Sequence, residues 1–346
     1  MPVHSIQKTV IDNLPANRGA NSKGWRTFNA VCCTHNGESA DSRGRGGVIA
    51  NPDGGVSYSC FNCNFKTGYV PGYSLSAKFR KLLRWLNVDD LEIHRLAIEA
   101  LREKERQELL GLVKPDVKKE EVKTNFIPHQ LPPGALTFYE IVAWHELQSS
   151  SDYSQHMVDA VKYVYDRKID MKKYDFYITD DTSYKMDKRV VVPFKWKNKV
   201  IGYSARALNE SIKPKYVTHV DNGFVFNMDA QQKDWQFVIV CEGIFDALSI
   251  DGVAIMKSDM TKLQIELIES LDREVIVVPD WNKSGQHLID VALANNWSVS
   301  FPVWAETCVD INDAVSKYGK LFVLKTILDS VERNQIKIQL LKRKYI

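Results

Sequence analysis

The 346 residues leave room for two domains and a linker, and a hydrophobic fraction of 44% supplies real cores and argues against wholesale disorder. A net charge of +3 says little by itself, so any nucleic-acid surface must show in how the charge is distributed. No apolar run approaches membrane-spanning length, the start Met1-Pro-Val-His lacks a secretory core, and six cysteines in so long a chain make no disulfide scaffold, so a cytoplasmic protein with metal chemistry is expected.

A polar leader runs to Asn21, and from Ser22 the chain becomes basic: Lys23, Arg26, Arg43, Arg45, Lys66, Lys78, Arg80, Lys81 and Arg84 outnumber Glu38, Asp41 and Asp53. Trp25, Phe28, Tyr58, Phe61, Phe65, Tyr69 and Tyr73 lie between them. Cations mixed with stacking platforms suit single-stranded nucleic acid, although the same composition also solvates a small β-domain. Cys32-Cys33-Thr34-His35 and Cys60-Phe61-Asn62-Cys63 read as Cys32-x-x-His35 plus Cys60-x-x-Cys63, two knuckles sharing one tetrahedral structural Zn²⁺. Cys33 competes as first ligand, but Cys33-x-His35 is tight for a usual knuckle. Gly44-Arg-Gly-Gly47 and Asn51-Pro-Asp-Gly-Gly55 supply turns around the strand-like Val48-Ile49 and Val56-Ser-Tyr-Ser.

The spacing of Phe79, Leu82, Leu83 and Leu86 predicts a packing helix within Leu75–Leu110, which Leu91, Leu96, Ile98 and Leu101 continue less regularly. Mixed charge from Arg102, with Lys114-Pro-Asp-Val-Lys-Lys-Glu-Glu-Val-Lys123, reads as a linker. The domain expectation is therefore 1–85, a helical and charged linker over 86–125, and a larger domain over 126–346. Helical patterns follow at Leu136–Leu147 and Met157–Asp166. Arg189-Val-Val-Val-Pro-Phe194 and Val200-Ile-Gly-Tyr-Ser204 flank Lys197-Asn198-Lys199 as a β-hairpin, and Arg206 and Pro214-Lys215-Tyr216 come after it.

Four short apolar strands then alternate with helix-length segments: Phe237–Cys241, Val253–Met256, Val275–Val278 and Val299–Val303. β-branched runs in that alternation predict a parallel sheet with crossovers, whose ligands bind outside the carboxyl ends of the strands. Glu242, Asp280, Asn282 and Asp310 follow those ends and would converge there. Gathered carboxylates repel one another, and a hard divalent cation relieves that repulsion. A helix is expected over Leu321–Val331, and a basic tail after it would either cap the fold or dock a partner. No Gly-x-x-x-x-Gly-Lys-Ser/Thr motif and no internal repeat occurs.

The order Glu242-Gly243, Asp280-Trp-Asn282-x-Ser-Gly285, Asp310-x-x-Asp313 resembles the toprim domain, with Asn282 where the family usually has a second Asp. The cysteine pairs resemble the zinc ribbon of phage and bacterial primases, and the Arg189, Arg206 and Lys215 motifs resemble the basic half of the DnaG-type polymerase domain. Together they resemble a DnaG-type DNA primase, most like those of T-even-like bacteriophages. That resemblance implies an α/β protein: a small β zinc ribbon, then a polymerase domain divided into a basic part (126–234), toprim (235–315) and C-terminal helices (316–346). It implies synthesis of short RNA primers on single-stranded DNA from ribonucleoside triphosphates. Glu242, Asp280, Asn282 and Asp310 would be catalytic, with the first three holding Mg²⁺ or Mn²⁺. Arg189, Arg206 and Lys215 would grip template or nucleotide phosphates, and Cys32, His35, Cys60 and Cys63 would hold Zn²⁺. A separate hexameric helicase and a single-stranded DNA-binding protein would be partners. A toprim nuclease and a non-catalytic single-stranded DNA-binding adaptor are the rival readings.

Overall fold

In the computed structural model the chain divides into two units, Met1–Glu121 and Val122–Ile346. The structure describes residues 5–16, 19–110, 122–149, 152–179, 186–232, 235–257, 259–304 and 308–343, so residues 111–121 of the charged linker expected after Arg102 lie outside the described residues.

The first unit is built on a four-stranded antiparallel sheet, preceded by helix α1 (Ser5–Asp12). Its strands β1 (Arg26–Phe28), β2 (Gly46–Ala50), β3 (Val56–Cys60) and β4 (Lys66–Tyr69) pair in sequence order. The turn from β2 to β3 closes where Asn51 N–H donates to the Gly55 carbonyl and the Asp53 side chain accepts from Gly55 N–H, with Gly54 at φ +91°. Alternation along β3 sends Val56, Tyr58 and Cys60 inward.

Helix α2 (Ala77–Trp85), capped by the Ser76 hydroxyl, lays Phe79, Leu82 and Leu83 on that core. Each such buried leucine contributes roughly 1.5–3 kcal/mol. Helix α3 (Asp90–Leu109) buries Ile93, Leu96, Ala97 and Ala100 in the same core, so it belongs to this unit and the boundary falls after it rather than at 85. The stripe on α3 is i, i+3, i+4, i+7, with two alanines in it. Leu91 and Ile98, the larger residues that the sequence offered, point outward.

The second unit carries two five-stranded sheets. The antiparallel one runs β5 (Leu136–Thr137), β6 (Tyr177–Ile178), β7 (Arg189–Trp196), β8 (Lys199–Ala207) and β9 (Tyr216–Val220). Helices α4 (Phe138–Leu147) and α5 (Gln155–Asp166) lie between β5 and β6 in sequence. The β7–β8 hairpin turns on two residues, Lys197 and Asn198, both at positive φ. Their backbone N–H groups donate to the two carboxylate oxygens of Asp229, which pins the tip.

The other sheet has the order β11-β10-β12-β13-β14. Strands β10 (Phe237–Cys241), β11 (Val253–Ala254), β12 (Glu274–Val277) and β13 (Ser298–Ser300) are parallel, as expected, and β14 (Val331–Glu332) adds an antiparallel edge. Alternate residues of β10 and β12 enter two cores. Ile239, Cys241 and Ile276 pack with α6 (Ile244–Ile250), α9 (Ile311–Tyr318) and α10 (Lys320–Asp329), and with the apolar face of the β7–β8 hairpin. Val238, Val240, Val275 and Val277 pack with α7 (Lys262–Ser270), α8 (Lys283–Ala294) and α11 (Gln335–Lys342). The basic tail therefore caps the fold: Ile338 of α11 is fully buried and Lys342 pairs with Asp290 of α8. From β10 the chain goes first to β11 on one side and then to β12 on the other. That reversal opens a crevice at the carboxyl ends of β10 and β12.

Candidate metal centre and acidic site

Cys32 and Cys33 enter a 3₁₀ turn over Thr34–Asn36, while Cys60 ends β3 and Cys63 closes the knuckle after it. Their four Sγ atoms all lie within 4.8 Å of one another, with Cys32–Cys63 at 3.3 Å and Cys33–Cys60 at 3.6 Å. A tetrahedral Zn²⁺ with Zn–S bonds near 2.3 Å needs sulfurs roughly 3.8 Å apart, so the set fits that ion. Burial pushes the Cys32 thiol up, and burial with the neighbouring Cys60 pushes Cys33 up to about 11. Burial acts on Cys60 too, but the N–H groups of Cys63 and Asn62 outweigh it and hold that thiol below its ordinary value. Crowded sulfurs of this kind become thiolates when a cation compensates them.

His35, expected as a ligand, is outside the cluster, and Cys33 takes the fourth place. His35 N–H and Asn36 N–H bond back to the Cys32 and Cys33 carbonyls, and the turn so formed carries the imidazole onto Trp85, stacked at 4.8 Å. The adjacent cysteines both join the cluster because each meets a different partner of the second knuckle.

In the second unit Glu242 follows β10 and Asp280 follows β12, on neighbouring strands beside the crevice. Asp310 caps α9, its Oδ1 accepting from Asp313 N–H at 2.7 Å. Asp246, one turn into α6, is buried and accepts from Asn312 N–H at 2.9 Å. These carboxylates raise one another. Burial, then Glu242 and Asp310, push Asp280 up to about 7. Burial, then Asp310 and Asp280, push Asp246 well above its ordinary value, and burial raises Asp310 as well.

Two glycines make the gathering possible. A Cβ on Gly243 would meet Asp246 Oδ2 at 2.1 Å, and one on Gly285 would meet the Asp280 carbonyl at 2.1 Å. Among the described residues no tight ligand set like that of the cysteines forms here. Carboxylates that raise one another gain from a hard cation, and Mg²⁺ or Mn²⁺ would take one or two of them alongside waters and phosphate oxygens. Asn282 Oδ1 accepts from Gly285 N–H at 3.0 Å and caps α8, a structural use for a residue expected as a ligand.

The cations of the β7–β9 region divide. Arg189, expected to grip phosphates, is fully buried, and its guanidinium donates to the carbonyls of Pro214 (2.7 Å), Ala205 (3.3 Å) and Lys215 (3.5 Å). It holds the β8–β9 connection and does not face the crevice as a phosphate ligand. Arg206 Nε donates to Tyr163 Oη at 2.8 Å, its guanidinium lies 4.6 Å from the Tyr216 ring centre, and its Nη1 is buried with no partner among the described residues. Lys215 is exposed, and its charge acts on Asp310.

No family model matches the chain. The DNA primase of Aquifex aeolicus (strain VF5) is 24% identical over an alignment of 164 residues that covers 42% of this chain and 33% of that protein. The chain is similar to a DNA primase. The match spans about a third of that relative's length. Among solved structures, the zinc-binding and RNA polymerase domains of the Aquifex aeolicus primase align with 94% of this chain and 83% of theirs, at 18% identity and a TM-score of 0.43. The RNA polymerase domain of Mycobacterium tuberculosis primase DnaG, with a double-stranded DNA oligomer bearing a 6-nucleotide overhang, aligns with 58% and 81% at 16% identity and a TM-score of 0.44.

Sequence reasoning missed Arg167. It ends α5, its guanidinium 3.9 Å from the Tyr163 ring centre, and its charge acts on Asp310 and on the Tyr216 phenol. In sequence it is one more cation at a helix end, where the macrodipole alone would explain it. Tyr163, bridging Arg167 and Arg206, carried no sequence signal either.

Proposed function

We propose that the chain is a DNA primase, joining ribonucleotides on a single-stranded DNA template into short RNA primers. The observation that carries this reading is that Glu242 and Asp280 follow neighbouring parallel strands, with Glu242 and Asp310 acting on Asp280, Arg167 and Lys215 acting on Asp310, and Arg206 sharing Tyr163 with Arg167. The name of the curated relative supports it. Glu242 and Asp280, with Asp310 beside them, would hold Mg²⁺ or Mn²⁺. Bound there, the cation would neutralise the triphosphate and favour the attacking 3′-oxygen as its alkoxide. Arg167, Arg206 and Lys215 would bind phosphate oxygens, the two guanidinium groups in bidentate fashion. Tyr163 holds Arg206 in place through its hydroxyl and lies against Arg167 with its ring.

In the first unit Cys32, Cys33, Cys60 and Cys63 would hold a structural Zn²⁺, since four protein ligands leave no open position. Phe61, 79% exposed at the knuckle tip, and the surrounding cations suit the stacking and phosphate contacts of a single strand. We extend the reading to a primase of the T-even-like phage kind, acting in the host cytoplasm beside a hexameric helicase and a single-stranded DNA-binding protein. The deciding experiment incubates the protein with single-stranded DNA, four ribonucleotides and Mg²⁺ and sizes the products. Metal-dependent short RNA is expected. Degraded DNA would turn the reading to a nuclease, and no product to a binding adaptor.

A further inference from the structure

Asn312 lies two residues beyond Asp310, is 4% exposed, and bonds twice to α6 and once to the end of α5. Its backbone N–H donates to Asp246 Oδ1 at 2.9 Å. Its Nδ2 donates to Ser249 Oγ on α6 at 2.6 Å and to the Arg167 carbonyl at the end of α5 at 3.1 Å. Ser249 Oγ gives its own hydrogen to the Phe245 carbonyl at 2.7 Å, so only lone pairs face Asn312. Both partners of Nδ2 are thus acceptors, and a group with two hydrogens is required between them. A carboxylate in the same place has none to give and would bury a further negative charge beside Asp246.

These bonds join the first turn of α9, which Asp310 caps, to α6 and to the residue whose charge acts on Asp310. We infer that Asn312 is a positioning residue that sets Arg167 opposite Asp310, holding the basic and acidic walls in register for the incoming triphosphate. This inference rests on the nucleotidyl-transfer reading above. It assigns Asn312 no contact with substrate; Asn312 acts through Arg167, Asp310 and Asp246. The amide is chosen over the carboxylate by the two acceptors that it faces.

The test compares Asn312→Ala, Asn312→Asp and Ser249→Ala in the full chain. It measures KM for ribonucleoside triphosphates, kcat, Mn²⁺ affinity by titration without nucleotide, and single-stranded DNA affinity. Loss of a group that orients metal ligands costs about 10–100-fold in metal affinity or activity. Asn312→Ala is expected to raise the triphosphate KM and weaken Mn²⁺ by about tenfold on that scale, with DNA affinity unchanged. Asn312→Asp should fare worse in KM than Asn312→Ala, and Ser249→Ala, which keeps the bond to Arg167, should stay near wild type. A residue that merely supports folding would lower the amount of active enzyme and reduce kcat with KM and Mn²⁺ affinity intact. That result in Asn312→Ala would overturn the inference, and Asn312→Ala decides the matter even where Asn312→Asp does not fold. Wild-type protein that makes no primers would instead overturn the function, and the Mn²⁺ titration would still read whether Asn312 orders the site.

Discussion

The cysteine cluster and the acidic crevice present the same electrostatic problem and answer it differently. In both, ionisable groups crowd until burial and mutual repulsion raise the pKa values of several: Cys32 and Cys33 in one, Asp246, Asp280 and Asp310 in the other. The sulfurs form a closed shell within 4.8 Å, three of the four buried. The carboxylates stand farther apart, with cations at the rim. Closure suits an ion that never meets substrate. Under the proposed function, openness would leave coordination positions for phosphate oxygens, and the cations would help to receive them. Crowding alone does not separate a structural metal from a catalytic one; the free positions do.

The comparison breaks most sharply at Glu242 and Asp280. Glu242→Gln and Asp280→Asn should each reduce primer synthesis by about 10³-fold or more, the scale of losing electrostatic stabilisation at developing charge, while thermal stability without divalent ions holds or rises. Wild-type synthesis in Glu242→Gln, after repurification, would remove the carboxylate from the chemistry.

Next in size is the ligand set. Cys33→Ser should lose stoichiometric zinc by elemental analysis and loosen the first unit, and His35→Ala should keep the metal and weaken only the packing on Trp85. Zinc retained in Cys33→Ser and lost in His35→Ala would restore the histidine.

The two arginines give a smaller, divided effect. Arg206→Ala should raise the triphosphate KM by about tenfold, the worth of a charge-assisted hydrogen bond of roughly 1.5–3 kcal/mol, with little change in melting temperature. Arg189→Ala should lower melting temperature by several degrees, because three carbonyls of the β8–β9 region each lose the guanidinium as a donor.

The mildest test is pH. Below about pH 4 Asp280 is neutral whether the chain is folded or unfolded. Between there and about pH 7 the unfolded carboxylate ionises while the folded one keeps its proton, so metal-free stability falls as pH rises through that window. Asp280→Asn should flatten this slope and Mg²⁺ should offset it; equal slopes in wild type and Asp280→Asn would show that Asp280 does not feel its neighbours.

The acidic site was legible because strand ends are local: a short β-branched run followed by Glu-Gly or Asp-x-Asn marks itself. The sheet order then brought those ends together by a general rule of parallel sheets. What escaped depends on contacts distant in sequence. Arg189 opens a strand like any exposed cation, and only the carbonyls of Pro214 and Lys215 folding over it reveal its burial. The choice between Cys33 and His35 lies in a 3₁₀ turn that spacing does not encode. The stripe of α3 was hidden because Ala97 and Ala100 complete its period, and alanine draws less notice than the exposed Leu91 and Ile98.

The order of strands also governs how the second unit is assembled as the chain leaves the ribosome. Of this sheet β10 emerges first and meets β11 after the single helix α6, yet its other edge waits for β12, which begins at Glu274. Until then a run of Phe237-Val-Ile-Val-Cys241 offers unpaired backbone to any neighbouring strand. Pairing with β12 closes that edge, so the run is protected only once residues 274–277 are available to it.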